Sequence, residues 1–433
     1  MPDKLHLTVY DDKSILINES GKEEEFLEGY ISDSAKKRLD KVKKELQNGF
    51  LEKIIKECGQ PDVNISDLDE NTLQLIETLV DSVTSEVGRA IIGLTILQFS
   101  IKATAPGQSI RLHKAGNHGD SNFSWKEGMP MRSIDKTYIT PVLRKYNLLH
   151  LNADGFMMTR SLAENYPYSK VYKAAIRGAR SEWLELVELV ECGKINPESA
   201  LRHLIIRLLN RSQAFIDKSK KVINALAKYE TKKHTLKEIT TLLHKFIDNS
   251  TYSARLFEIA MHSFYQVLED EGHLNGYLKP LSQMRSANKK HGNIGDIEVL
   301  STPDTLEIVE SWDAKYGKGY LRDELDELNE KLARHPETEL CGFVTDGSPN
   351  VKKEISDRIK EIERLHGVKI VLFSFEEWVK TIIKNTDDNE DELAIKWFRA
   401  FVESLCQMRR DRAPIDEPCD DWIDELLSVF KKI

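Results

Sequence analysis

Between residues 253 and 383 the apolar pattern changes period in an order that narrows the fold sharply. Ser253 to Leu268 carries Leu256, Ile259, Ala260, Phe264, Val267 and Leu268 at helical spacing. Asp296 to Leu300 is short and rich in β-branched residues, Ser301 to Asp304 is a turn, and the strand pattern resumes at Leu306. A helix is then predicted over Arg322 to Ala333, a strand over Leu340 to Thr345, a helix over Val351 to Leu365, a strand over Val368 to Phe373 and a helix over Glu376 to Ile383. A hairpin is the economical reading of the first two strands.

The paired strands carry the chemistry. Asp313 and Lys315 are two residues apart and share a face, and an antiparallel neighbour can bring Asp296 beside them. Mg²⁺ takes oxygen ligands, usually one or two carboxylates with water and substrate phosphate oxygens. An ammonium beside such carboxylates can orient a nucleophile or stabilise a phosphoryl transition state. Glu298 is two residues from Asp296 and shares its face, so it is a possible accessory. Glu310 is three from Asp313 and should point the other way.

The helix–strand–strand–helix–strand–helix–strand order, with Glu258 on the first helix, Asp296 on the second of the family's strands and Asp313-Ala-Lys315 on the third, resembles the catalytic core of the PD-(D/E)XK nuclease superfamily. The resemblance covers roughly residues 250–385 and departs from the motif where Gly295 stands in place of the common proline. It implies an α/β (α+β) core with a mixed central sheet flanked by helices, behind a mostly helical N-terminal region, and it implies Glu258, Asp296 and Asp313 as catalytic acids binding Mg²⁺, with Lys315 as the catalytic lysine. It further implies double-stranded DNA as substrate, cut to 5′-phosphate and 3′-hydroxyl ends in the manner of a type II restriction endonuclease. A homodimer on a symmetric target and a cognate DNA methyltransferase belong to the same expectation. Two rivals stand beside it: a repair or mobile-element nuclease of the same fold, and a DNA-binding regulator whose nuclease-like core is inert.

A net charge of −9 does not by itself announce a polyanion ligand. Its distribution does more, because basic residues exceed acidic ones by about eight between Ser85 and Arg180. One basic face on an acidic molecule can serve DNA. Within that stretch a helix capped by Ser133 or Asp135 is predicted to run to about Tyr146, with Pro141 interrupting it or delaying its start. A hairpin turning at Asn152-Ala-Asp-Gly155 and a helix capped by Thr159 follow. The order resembles a winged helix-turn-helix module. That resemblance puts Arg132, Lys136, Arg144 and Lys145 on or beside a recognition helix and Arg160 at the foot of the wing. A short basic helix with a hairpin is also ordinary surface structure. Arg111, His113, Lys114 and Trp125 extend the same candidate surface, and His113 with His118 reads as polar surface because no cysteine pair completes a zinc set. Before the first catalytic strand, Arg285, Lys289 and Lys290 sit on a polar loop suited to flanking phosphates.

The 433 residues suffice for several domains, expected here as 1–70, 71–180, 181–249, 250–386 and 387–433. The first holds a hairpin from Leu5 to Ile17 and a charged helix from Ser34 to Cys58, and the third is a helical connector. Five dispersed cysteines without a CxxC pair argue against a disulfide scaffold or zinc ribbon and suit a reducing cytoplasm. Ala90 to Ile101, the longest apolar stretch, is interrupted by polar residues and reads as a buried helix with no membrane role.

Overall fold

The structure, a computed structural model, describes residues 5–18, 21–60, 67–83, 86–115, 123–149, 155, 165–172, 176, 178–282, 292–415 and 419–432. It is a mixed α/β chain with a three-stranded and a five-stranded sheet among the described residues. The chain packs as two units, 1–215 and 216–433. The division falls inside one long helix, so the stretch 181–249 is shared between the units. The segment after 387 belongs with the larger sheet.

In the first unit β1 (His6–Val9), β2 (Lys13–Ile17) and β3 (Glu23–Leu27) form an antiparallel meander. The third strand escapes a hydrophobic reading because its Glu-Glu-Glu-Phe-Leu buries only Phe26. The helix expected over Ser34 to Cys58 is two helices, α1 (Asp33–Gln47) and α2 (Phe50–Cys58). Gly49 breaks it at φ 85°, a left-handed conformation that glycine adopts without steric cost. Next come α3 (Glu70–Asp81) and α4 (Glu86–Thr104). Ala90 to Ile101 is indeed buried within α4: Thr95 and Ser100 hydroxyls donate to carbonyls one turn back, and Gln98 donates to the Ile110 carbonyl while accepting from the Trp183 indole, both at 2.8 Å. No helix among the described residues is long and apolar enough to cross a membrane.

The basic helix runs from α5 (Met131–Ile134) through a π-helical turn (Asp135–Ile139) into α6 (Thr140–Lys145). It starts before either expected cap, and Asp135 is buried inside it, accepting from the Thr140 hydroxyl at 2.6 Å. Pro141 explains the π turn: it has no N–H to donate, and its ring would strike the carbonyl four residues back, so the ladder widens there instead of breaking. Helix α7 (Arg180–Glu191) and the first part of α8 (Pro197–Tyr229) complete this unit.

The second unit holds the rest of α8, α9 (Leu236–Asn249), α10 (Ser253–Asp270), β4 (Tyr277–Leu278), β5 (Ile297–Leu300), β6 (Ile308–Lys315), α11 (Arg322–Leu332), β7 (Leu340–Thr345), α12 (Lys353–His366), β8 (Lys369–Ser374), α13 (Phe375–Ile383), α14 (Glu390–Leu405) and α15 (Cys419–Lys432). The sheet order is β4-β5-β6-β7-β8, antiparallel through β6 and parallel from β6 to β8. Leu325, Leu328, Phe343, Ile355 and Ile362 form a core where α11 and α12 cover one face. On the other face Trp312 packs near Phe373 and Trp378, and Phe264, Phe375, Trp378 and Trp397 continue the aromatic core into the helices. Gly342 is obligatory here, since a Cβ would lie 2.1 Å from the Trp312 ring.

Helix α10 is buried along nearly its whole length between the sheet and α9 and α14, so its polar groups must find partners internally. The Trp397 indole donates to the Ala260 carbonyl at 2.8 Å. The Gln266 amide donates to Nδ1 of His262 at 3.1 Å, which leaves Nε2–H to donate to the Lys279 carbonyl at 3.1 Å. Burial, with Arg255 and Arg412 adding to it, holds His262 neutral with its pKa down at about 4. A depressed folded pKa gives stability that is present above the unfolded value near 6.5 and lost as pH falls toward 4. We therefore expect acidification across that window to cost about 3 kcal/mol of unfolding free energy through this group. Urea denaturation at pH 7 and pH 4.5 should show a smaller pH dependence in His262→Gln than in the wild type.

Candidate active site

The site is assembled where β5 and β6 begin their antiparallel pairing. Ile297 lies opposite Trp312, and just before it the Asp296 N–H donates to the Trp312 carbonyl at 2.9 Å. The Asp296 carboxylate turns onto β6, where Oδ2 accepts from the Ala314 N–H at 3.0 Å, between Asp313 and Lys315. Oδ2 of Asp313 is 2.8 Å from Nζ of Lys315, and both side chains are largely buried. Gly295 permits this approach: a Cβ there would lie 2.6 Å from Oγ of Ser311 and 2.7 Å from the Trp312 carbonyl oxygen. Gly295 is thus demanded by the closeness of the two backbones.

Two carboxylates held together in a half-buried position cannot both ionise cheaply. Burial raises the Asp296 pKa well above the usual carboxylate range, with the Asp313 charge, the Glu258 charge and a side-chain hydrogen bond with Asp313 adding to it and Lys315 opposing it. Burial works against the Lys315 ammonium, but Asp313, Asp296 and Glu324 overcome that and hold its pKa above the usual lysine value. Lys315 is therefore a cation at neutral pH. Burial also pushes the neighbouring Cys341 thiol up to about 12, which makes it no nucleophile.

Glu258 stands close enough for its charge to act on Asp296, but its carboxylate is bonded to Arg255 at 2.6 Å. Among the described residues no three His, Cys, Asp or Glu side chains come together closely enough to hold a metal ion. Asp296 and Asp313 meet as a pair, with the Glu258 charge near enough to act on Asp296. Two adjacent carboxylates suit a hydrated Mg²⁺, which commonly takes one or two protein carboxylates.

Glu298 is buried, and its role is different from that of an accessory ligand. Its Oε2 pairs with Nζ of Lys279 at 2.6 Å, and its Oε1 accepts from the backbone N–H groups of Ile294 at 2.5 Å and Gly295 at 3.3 Å. The Lys279 ammonium also donates to Asn293, the Asn293 amide donates to the Ser282 hydroxyl, and Arg255 donates to the Ser282 carbonyl while pairing with Glu258. A continuous polar chain thus ties Glu258 to the turn that presents Asp296. Glu310 faces the opposite side, accepting from the Trp312 indole at 2.6 Å and from the Tyr265 hydroxyl.

The candidate DNA-binding residues divide sharply. Arg132 and Lys136 are exposed on the helical run from Met131, Arg144 is half-buried, and Lys145 is exposed and paired with Glu52 at 2.8 Å. Arg111 is not on that surface: it is fully buried, bonded to Glu188 at 2.6 Å and to the Tyr168 carbonyl at 2.9 Å. His113 is buried against the Tyr168 ring and Trp125 is fully buried with Phe26, so neither extends a binding face. Arg160, His118, the turn expected at 152–154, Arg285, Lys289 and Lys290 lie outside the described residues.

No protein-family model matches the chain, and no curated protein is significantly similar to it.

Two outcomes follow from this geometry. A raised Asp296 pKa stabilises the fold only while the carboxyl is protonated; that contribution is complete below the ordinary value near 3.8 and is lost as pH rises through the folded value. Asp296→Asn should therefore raise the metal-free melting temperature at pH 8, and Mg²⁺ should raise that of the wild type more than that of the variant. Glu298→Gln should cost about 2–4 kcal/mol, because it leaves the partly buried Lys279 ammonium without its counter-charge. In urea titrations the double variant Lys279→Met with Glu298→Gln should lose less than the sum of the two single changes.

Proposed function

We propose that this chain is a Mg²⁺-dependent endonuclease acting on double-stranded DNA, of the type II restriction class. The observation that carries the reading is the meeting of the Asp296 and Asp313 carboxylates across β5 and β6 with the Lys315 ammonium 2.8 Å from Asp313. Asp296 and Asp313 are the residues that would hold the ion, with Glu258 next to them. When bound, Mg²⁺ supplies charge neutralisation at the scissile phosphate and acidifies its coordinated water. Lys315, kept cationic by the acids around it, hydrogen-bonds the attacking water or a phosphate oxygen and stabilises the charge that develops there. Water oxygen gives up a proton to solvent and forms the new bond to phosphorus while the bond from phosphorus to the 3′ oxygen breaks and that oxygen takes a proton from solvent, giving 5′-phosphate and 3′-hydroxyl ends.

In this reading the first unit contacts DNA through Arg132, Lys136, Arg144, Lys145 and Arg160, and the second unit supplies its own phosphate contacts through Arg285, Lys289 and Lys290; Arg111 is removed from the set by its burial. One site per chain calls for a homodimer to cut both strands, and protection of host DNA calls for a cognate methyltransferase. A second reading, an inert DNA-binding regulator on the same fold, is favoured by one observation, the missing three-ligand metal cluster among the described residues.

Incubation of unmethylated plasmid with the chain, in Mg²⁺ and in EDTA, separates the two readings. Cleavage at discrete sites only with Mg²⁺, cut at least about 100-fold by Lys315→Ala while gel-shift affinity is kept, is the expected result. Absence of metal-dependent cleavage by the wild type transfers the chain to the regulator class, and nicking that follows DNA structure instead of sequence transfers it to repair.

A further inference from the structure

A groove of about 440 Å³ in the second unit lies between the last turns of α8 and the end of α15, and none of its lining residues belongs to the candidate active site. Its floor is apolar: Ala225 and Tyr229 come from the α8 side and Leu427 and Phe430 from α15, with the Phe430 ring edge-on to Tyr229 at 5.8 Å. Its rim is basic. Lys221 and Lys228 stand two helical turns apart, roughly 10 Å along α8, Lys232 follows just beyond the helix, and Lys431 faces them from α15.

Three of them, Lys221, Lys228 and Lys431, differ from their neighbours in how their charge is met. Lys218 is neutralised by Asp420 and Asp424 at 3.5 and 2.8 Å, and Lys220 is paired with Asp217 at 3.5 Å. Lys221, Lys228 and Lys431 make no ion pair among the described residues, although the chain carries a net charge of −9. An apolar channel edged by unmatched cations on both sides is complementary to an apolar stripe edged by acids.

We propose that this groove docks an acidic amphipathic helix of a partner protein, leucine-type side chains down on Tyr229 and Phe430 and carboxylates out to Lys221, Lys228 and Lys431. The apolar floor argues against a DNA backbone, which has no apolar face to cover it. Lysines spaced along one rim and answered from the other argue against a small anionic amphiphile, whose single head group would meet them at one end. A second copy of the chain offers no suitable helix in α11, whose Leu325, Leu328 and Leu332 are already buried in their own core.

The test is fluorescence anisotropy with a labelled synthetic helix of about fourteen residues, leucine at every third or fourth position and glutamate on both flanks. Saturable micromolar binding is expected, weakened at least about tenfold by the surface charge reversal K221E/K228E, with a lysine-for-glutamate version of the peptide binding the reversed variant better than the wild type. Circular dichroism and thermal melting establish that the variant is folded. No binding up to about 1 mM, or equal binding by wild type and variant, overturns the proposal. So does charge-reversal-sensitive binding of decanoate or a DNA duplex, or self-association in sedimentation, when the peptide itself does not bind.

Discussion

Antiparallel pairing of β5 with β6 is the constraint on which the rest of the site depends. It sets Ile297 against Trp312, and the next step along the ladder brings Asp296 onto the Asp313-Ala314-Lys315 segment. A shift of one residue would send Asp313 and Lys315 to the aromatic face and Trp312 to the leucine face. Trp312 itself opposes such a slip, because its ring fits only against Gly342 on β7. The close backbone approach at Gly295 secures the other end of the same pairing.

What that register creates is a destabilising cluster that the fold must contain. Two carboxylates meet in a half-buried place, a third is near, and a lysine offsets part of the repulsion. Around them the unit supplies a chain of polar contacts, from Glu258 through Arg255, Ser282, Asn293 and Lys279 to Glu298 and the turn before Asp296. Helix α10 contributes at both levels, carrying Glu258 and Arg255 at one end and the neutral His262 near its middle. Sites of chemistry are where such strain is expected to be kept, because a group poised to bind a cation or move charge cannot also be at its electrostatic optimum.

Much of the second unit was legible before its structure, since its helices and strands alternate in period and are bounded by turn residues. The first unit was less so. β3 carries too little apolar surface to announce itself, and the π turn arises from a conflict between Pro141 and a helix that continues past it. The roles of Arg111, His113 and Trp125 were unreadable for a common reason: an arginine, a histidine and a tryptophan in a loop-rich stretch look like a binding surface unless their burial is known. Arg111 has its charge met by Glu188, which lies 77 residues away in the chain. Glu298 is the converse case, a carboxylate on the correct face whose partners, Lys279 and two backbone N–H groups, are defined only by folding.

The sequence by itself determined the alternation of elements and the shared face of Asp313 and Lys315, because side-chain period and turn chemistry are local properties. Only the tertiary structure decided which charges are satisfied and which are left to act. Pairing and burial depend on neighbours distant in the chain, so Asp296 emerges as a carboxyl under strain, Glu298 as a clamp, Arg111 as core, and three lysines on α8 and α15 as cations with no ion pair among the described residues around an apolar groove.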